Sequence, residues 1–479
     1  MNTKKKTIFG LLWTFSQQSI VQLINFIVQI FLARILLPEA FGYIAMLYIF
    51  IAISNTLVDG GMTSSLIRTK NPDNKDYSTV FFVNILVSIF VYCLLFLFAP
   101  YIAIFYNQPE LNLIVKIYSI IIVIQSFNAV QTTKLTKEMK FKQQMFMQIP
   151  STIISGLVGV YLAMRGWGVW SLVWMQLIGA FLFTIQHWIF LSWRPEFVID
   201  KQKLKFHFSF GYKLTLSGLL STVYSNVYRI IIGKYYSALQ LGFYHQANTL
   251  SLFPVNNLNK ALSKVTYPVF SSLQDNTAKL RKAYVQISKY VFWLICPVMF
   301  FLIFFAEPIF LLLLTEKWLP SVPYFQILCA STMFYPHSFC SLNILSAKGR
   351  SDLHLKIEIY KKIIGLTILS CLIWFGVKGI VIASSLGMYA STIINSYYCG
   401  KLINYSVFKQ FIHFIPFLIV SFFTSLLLYY LNEYMLKFHI YSPLLRLMTN
   451  FLLYTAIYIG VSILFKLVDL GMLPRIFKM

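Results

Sequence analysis

This sequence predicts an all-α polytopic membrane fold of about 14 spanning helices, and three observations carry that prediction. Of the 479 residues, 58% are hydrophobic and only 11% are charged. A soluble chain carries roughly 25% charged residues, so too little polar surface exists here to coat a water-facing globule. Apolar runs recur along the chain, each near the roughly 20 residues that cross about 30 Å of hydrocarbon. The 40 Lys and Arg residues collect in short clusters between those runs. A net charge of +25 distributed in this way is the pattern of inward-facing loops. A nucleic-acid binder would concentrate it on one face or tail, so no nucleic-acid partner is expected.

The basic start, Met1 to Lys6, precedes the apolar run Phe9 to Leu32. That run is too long for the core of a signal peptide and lacks a small-residue cleavage site, so it is expected to be the first span. Spans are then expected at 9–33, 41–64, 78–104, 111–132, 146–164 and 168–192. A second set follows at 208–233, 240–268, 286–314, 322–346, 357–376 and 379–403, with a final pair at 411–431 and 446–468. On this map 29 Lys and Arg fall on the side of the N-terminus and 8 on the other. The asymmetry places both termini in the cytoplasm.

An internal repeat organises the map. Phe9-Gly10, Thr14, Ser16 and Asn25 recur 201 residues later as Phe210-Gly211, Thr215, Ser217 and Asn226. Phe41-Gly42-Tyr43 is echoed by Gly242-Phe243-Tyr244 after a one-residue slip. Span one thus corresponds to span seven, and the six spans between them make the two copies parallel. Parallel repeats are a transporter architecture with the substrate site at their interface. The expected division is a six-helix lobe over 1–195, a second over 196–405, and two further helices with a tail over 406–479.

Polar residues recur at helical spacing inside the spans. Span one carries Gln18, Gln22, Asn25 and Gln29, and span two carries Asn55 and Asp59. Span seven carries Thr215, Thr222, Asn226 and Arg229, and span eight Asn256, Asn259 and Ser263. In lipid these groups must face other helices or a watery cavity. They read either as the lining of a cavity between the repeats or as hydrogen bonds between helices. Arg34 and Arg229 lie near the outer face, and Lys213, Lys260 and Lys264 near the inner one. They read either as a cationic lining suited to phosphate or as anchors at the membrane surface. Asp59-Gly60-Gly61 also reads as the end of span two.

The six cysteines all fall in apolar runs, so neither a disulfide framework nor a metal site is expected. The seven histidines are scattered and no nucleotide-binding or hydrolase motif is present. No cofactor and no catalytic residue is therefore expected, and a coupling ion, Na+ or H+, is left open.

Several segments bear a family likeness. Ala33-Arg34-Ile35-Leu36-Leu37-Pro38-Glu39-Ala40-Phe41-Gly42 resembles a turn of the polysaccharide transporter family, the Wzx-type oligosaccharide-lipid flippases of the multidrug/oligosaccharidyl-lipid/polysaccharide exporter superfamily. Asp59-Gly60-Gly61, Gly166-Trp167-Gly168-Val169-Trp170, Arg229-Ile230-Ile231-Ile232-Gly233, Tyr267-Pro268-Val269-Phe270 and Lys317-Trp318-Leu319-Pro320 resemble later motifs in the same order. The likeness covers nearly the first 350 residues. It implies two six-helix lobes around a V-shaped central cavity and alternating access. It implies a polyprenyl-pyrophosphate-linked oligosaccharide as cargo, a bacterial inner membrane as the site, and polysaccharide polymerase machinery as a partner. Of the arginines that related flippases use for pyrophosphate, only Arg34 and Arg229 match family positions, and Ala40 stands where the family often has Asp. The alternatives are a drug or cation antiporter of the same superfamily, which would need a deeply buried carboxylate, and a membrane polymerase or ligase, which would need a large outer loop.

Overall fold

A computed structural model describes residues 3–437 and 442–467, with the side chains of 3–18, 351 and 435–437 outside the description. No strand occurs among the described residues. Two compact units make up the chain, Met1–Gly242 and Phe243–Met479. Nine helical segments among the described residues are long and apolar enough to cross a membrane.

The first unit holds α1 (Thr3–Ile35), α2 (Pro38–Asp59), α3 (Met62–Arg68), α4 (Asn74–Tyr106), α5 (Leu111–Tyr118) and α6 (Ile120–Lys137). It continues with α7 (Phe141–Met164), α8 (Val169–Phe190) and α9 (Lys201–Tyr235), and ends in the first turn of α10 (Ala238–Ser272). Proline opens α2, where its missing N–H costs nothing. The same helix stops at Gly60 and Gly61, both at positive φ (54° and 66°), a conformation that side chains with a Cβ rarely adopt. The helices approach closely where residues are small. A Cβ on Gly156 of α7 would sit 2.6 Å from Val28 of α1, and one on Gly159 would sit 2.9 Å from Met175 of α8. Lipid tails are as apolar as leucine, so such backbone approach, and not expulsion from water, holds spans together.

Glycine also joins distant parts of this unit. A Cβ on Gly42 would lie 1.8 Å from the Ala238 carbonyl oxygen, and one on Gly242 would lie 2.0 Å from that of Pro38. Each repeat-related turn thus packs its glycine on the backbone of the other. At the other end of α2, Gly61 and Gly211 touch in the same way, with a Cβ on Gly211 only 2.1 Å from the Gly60 oxygen. The two contacts are roughly 30 Å apart along α2.

The second unit holds the rest of α10, then α11 (Thr277–Phe304), α12 (Ala306–Leu313), α13 (Val322–Thr332), α14 (Tyr335–Ala347), α15 (Ser351–Leu372) and α16 (Gly376–Ile403). The short α17 (Val407–Ile412) precedes α18 (Ile415–Lys437) and α19 (Pro443–Leu464). A cluster of Phe301, Phe305, Ile309, Leu428 and Tyr454 fastens α18 and α19 to α11 and α12. Tyr284 donates to Gln410 Oε1 at 2.9 Å, and its hydroxyl lies 2.8 Å from Ser341 Oγ, so this buried polar group is satisfied across three helices.

Candidate functional site

Three polar constellations form within the first unit. One is an open-sided cavity of about 310 Å³ lined by α1, α6, α7 and α8. Four carboxamides line it, Asn25, Gln125, Gln148 and Gln176, together with the hydroxyls of Ser151, Thr152 and Ser155. Gln148, Ser151, Thr152 and Ser155 fall on one face of α7 because their spacing is three, four and seven residues. Gln186 of α8 donates to Ser151 Oγ at 2.7 Å and fixes that hydroxyl.

The second joins α9 to α2. Arg229 donates to Asn226 Oδ1 at 2.9 Å, one turn back on the same helix, and Asn226 donates in turn to the Thr222 carbonyl at 2.9 Å. The guanidinium carbon stands 4.9 Å from the centre of the Tyr48 ring, a cation–π contact. Asn226 is buried and Arg229 half-buried. The planar fork is thereby held at a fixed orientation, the condition for bidentate recognition of phosphate or carboxylate.

The remaining predicted residues are dispersed. Gln22 and Gln29 are half-buried on α1, and each holds a contact of its own; the side chain of Gln18 lies outside the described residues. Arg34 is exposed in the last turn of α1 and is also engaged. Asp59 closes α2 and accepts from Thr63 Oγ1 at 2.5 Å. Lys213 is exposed on α9, beside the Tyr212 ring. In the second unit, Asn256 and Lys260 are exposed on α10, while Asn259 is buried with neither carboxamide atom hydrogen-bonded to a described residue. Sequence periodicity does not single out Gln125, Gln148, Gln176 or Tyr48, although the α7 stripe is there to be read.

A third cluster lies where α3, α4 and α9 meet. Asp73 and Asp76 form a capping box at the start of α4, each carboxylate accepting from the other's backbone N–H at 2.8 and 2.9 Å. The Asp76 carboxylate is also 3.1 Å from His207 Nε2 and 3.0 Å from Lys203 Nζ. His207 Nδ1 lies 2.8 Å from Ser65 Oγ. Asp200 caps α9 by accepting from the backbone of Gln202 and Lys203, which delivers Lys203 and His207 to this point.

The Asp76 N–H holds the Asp73 carboxyl below the usual aspartate range, and the Asp76 carboxylate raises the Lys203 ammonium. The Asp73 contribution is present above the ordinary value of about 3.9 and is lost as pH falls through the lower folded value. The Lys203 contribution is complete below about 10.4 and is lost as pH rises through the higher folded value. Thermal unfolding in nanodiscs is therefore expected to show a Lys203→Met deficit that is constant from about pH 5 to 9 and shrinks at both extremes. A deficit that did not change with pH would rule out these ion pairs as its source.

A polytopic helical chain with amides gathered among α1, α6, α7 and α8 and a half-buried arginine on α9 is a membrane transport protein by class. Residues 31–323 match the polysaccharide biosynthesis protein family, and the chain belongs to that family. It is 26% identical over 300 residues to the teichuronic acid biosynthesis protein TuaB of Bacillus subtilis (strain 168). That match spans 62% of either chain, just under two thirds of the relative. The lipopolysaccharide biosynthesis protein WzxC of Escherichia coli (strain K12) is 24% identical over 368 residues, 75% of this chain and 74% of the relative. The fold is that of the lipid II flippase MurJ in its inward closed conformation, with a TM-score of 0.72 at 16% identity, covering 97% of this chain and 98% of that one.

Proposed function

We infer that the chain is a flippase that carries an oligosaccharide repeat unit, linked to polyprenyl pyrophosphate, from the cytoplasmic to the outer leaflet of a bacterial inner membrane. Both termini face the cytoplasm. The cargo belongs to a surface polysaccharide, and the polymerase that consumes it is the expected partner. The single observation that carries this reading is the Asn226–Arg229–Tyr48 constellation, a cation held ready for phosphate in a membrane chain of this family. The names of the relatives, in teichuronic acid and lipopolysaccharide biosynthesis, support a lipid-linked saccharide over a drug or a cation.

In this reading Arg229 and Arg34 grip the pyrophosphate, with Lys213 and Lys260 as further cations along its route. Asp59, Asn256 and Asn259, with the α1 amides, supply polar contacts in the path. The test uses proteoliposomes carrying a fluorescent polyprenyl-pyrophosphate oligosaccharide, quenched from outside. Protein-dependent exposure of the label is expected. Arg229→Ala should weaken binding about 10- to 100-fold, the loss of a charge-assisted hydrogen bond worth about 1.5–3 kcal/mol. Arg229→Lys should recover some of that loss, keeping the charge but not the fork. Wild-type transfer by the Arg34→Ala/Arg229→Ala double variant would place the phosphate grip elsewhere, and no transfer by the wild type would end the flippase reading.

A further inference from the structure

The cavity among α1, α6, α7 and α8 is not used by the pyrophosphate grip, and its chemistry differs. Its lining contains carboxamides and hydroxyls but no charged side chain. A carboxamide offers both two donors and an acceptor, matching a sugar hydroxyl that donates and accepts at once. Val21, Val28, Met175 and Phe183 supply apolar surface to the same space, which suits the C–H face of a pyranose ring. A single cation fits poorly, because oxygen cages hold cations at about 2.3–2.6 Å and use carboxylates. Here no carboxylate is present, and the volume of about 310 Å³ lies in the range of roughly 300–1,000 Å³ typical of small-molecule sites. A prenyl tail fits no better. The second unit shows what such a tail would require, a space of about 300 Å³ walled by Leu258, Leu262, Val265, Val291, Trp293 and Leu294.

We propose that this cavity is a saccharide subsite, which takes one neutral sugar ring of the cargo through Asn25, Gln125, Gln148 and Gln176. The proposal deepens the flippase reading and rests on it for the identity of the cargo. It gives the first unit a role in cargo selection separate from phosphate binding.

Ser155 is buried in the lining, and Ser155→Cys is nearly isosteric, so it provides a thiol there. Cys93 and Cys371 are the exposed native thiols among the six cysteines and are replaced by alanine. The full chain in nanodiscs is treated with a small methanethiosulfonate reagent, with or without maltotriose or chitotriose. At twice the dissociation constant, occupancy slows modification about threefold. Slowing by either sugar but not by inorganic phosphate is expected, and its loss in Gln125→Leu/Gln176→Leu. No slowing by either sugar, slowing retained without both carboxamides, or a thiol that the reagent never reaches would each overturn the subsite. Transfer of the lipid-linked oligosaccharide is measured on the same protein reconstituted into proteoliposomes. Transfer without protection sinks the subsite alone, and protection without transfer keeps the subsite while sinking the flippase reading.

Discussion

Gly42→Ala and Gly242→Ala are each expected to unfold the chain several degrees below the wild type and to open the two turns they join. The reason is geometric. The added carbon would stand 1.8 Å from the Ala238 oxygen in one case and 2.0 Å from the Pro38 oxygen in the other. Overpacking a side-chain core typically costs about 1–3 kcal/mol, because side chains can change rotamer. Here the obstacle is backbone on both sides, so the cost falls at or beyond the top of that range, and relief requires whole helices to separate. Gly460→Ala is the control: an added Cβ there meets nothing within 4 Å, and alanine is better than glycine in a helix by about 1 kcal/mol. Hydrogen exchange over residues 36–42 and 236–242 reads the opening directly. Unchanged melting and exchange in both variants would mean that the reciprocal glycine contact does not exist in the folded protein. The same measurement bears on transport. Gly42–Gly242 and Gly61–Gly211 are close backbone contacts near the two ends of α2, so a motion that parted α2 from α9 or from the start of α10 would have to break one or the other.

The membrane class was legible because it is a matter of composition and of apolar length, both of which survive any error in helix boundaries. Helix continuity was not. The run 111–132 divides into α5 and α6 at Ser119, whose hydroxyl donates to the Val115 carbonyl at 2.7 Å. The run 322–346 divides into α13 and α14 just before Pro336, and 286–314 into α11 and α12 beside Pro308. Hydropathy sums apolar residues and is blind to a break in the hydrogen-bond ladder, although each proline stood in the sequence as a warning. Polar periodicity found Asn25, Asn226 and Arg229 because all three sit on helices long enough to show a period. It could not bring Tyr48 of α2 to Arg229 of α9, nor pair Asp76 with His207 across 131 positions. Those meetings are tertiary. Nor were α9 and α10 apolar enough to count among the nine segments that meet the spanning criterion. The polar residues that drew attention to them are the same residues that lower their hydropathy, which is the expected signature of helices facing something other than lipid.

Asp76→Ala is expected to be among the most destabilising single substitutions in the first unit, by about 3–5 kcal/mol. The carboxylate is almost wholly buried and accepts from three donors of different origin: the Asp73 backbone, Lys203 and His207. Its removal leaves His207, fully buried, with Ser65 as its one hydrogen-bond partner, and an unmet buried donor costs about 1–3 kcal/mol by itself. Lys203 suffers less, being a third exposed and retaining Asp73 at 3.2 Å. Asp59→Ala makes the contrast, since Asp59 is partly exposed and holds one hydroxyl, that of Thr63 in the first turn of α3; a loss below about 1 kcal/mol is expected there. The decisive measurement is a double-mutant cycle by reversible unfolding in micelles. If the burial of a one-sided polar group is the cause, Asp76→Leu/His207→Phe should recover much of what Asp76→Leu alone loses, because removing both partners leaves neither unmet. Strict additivity of the two changes would show that Asp76 and His207 do not act on each other, and the cluster joining α3, α4 and α9 would then be held by its apolar neighbours Leu66, Tyr77 and Val80 alone.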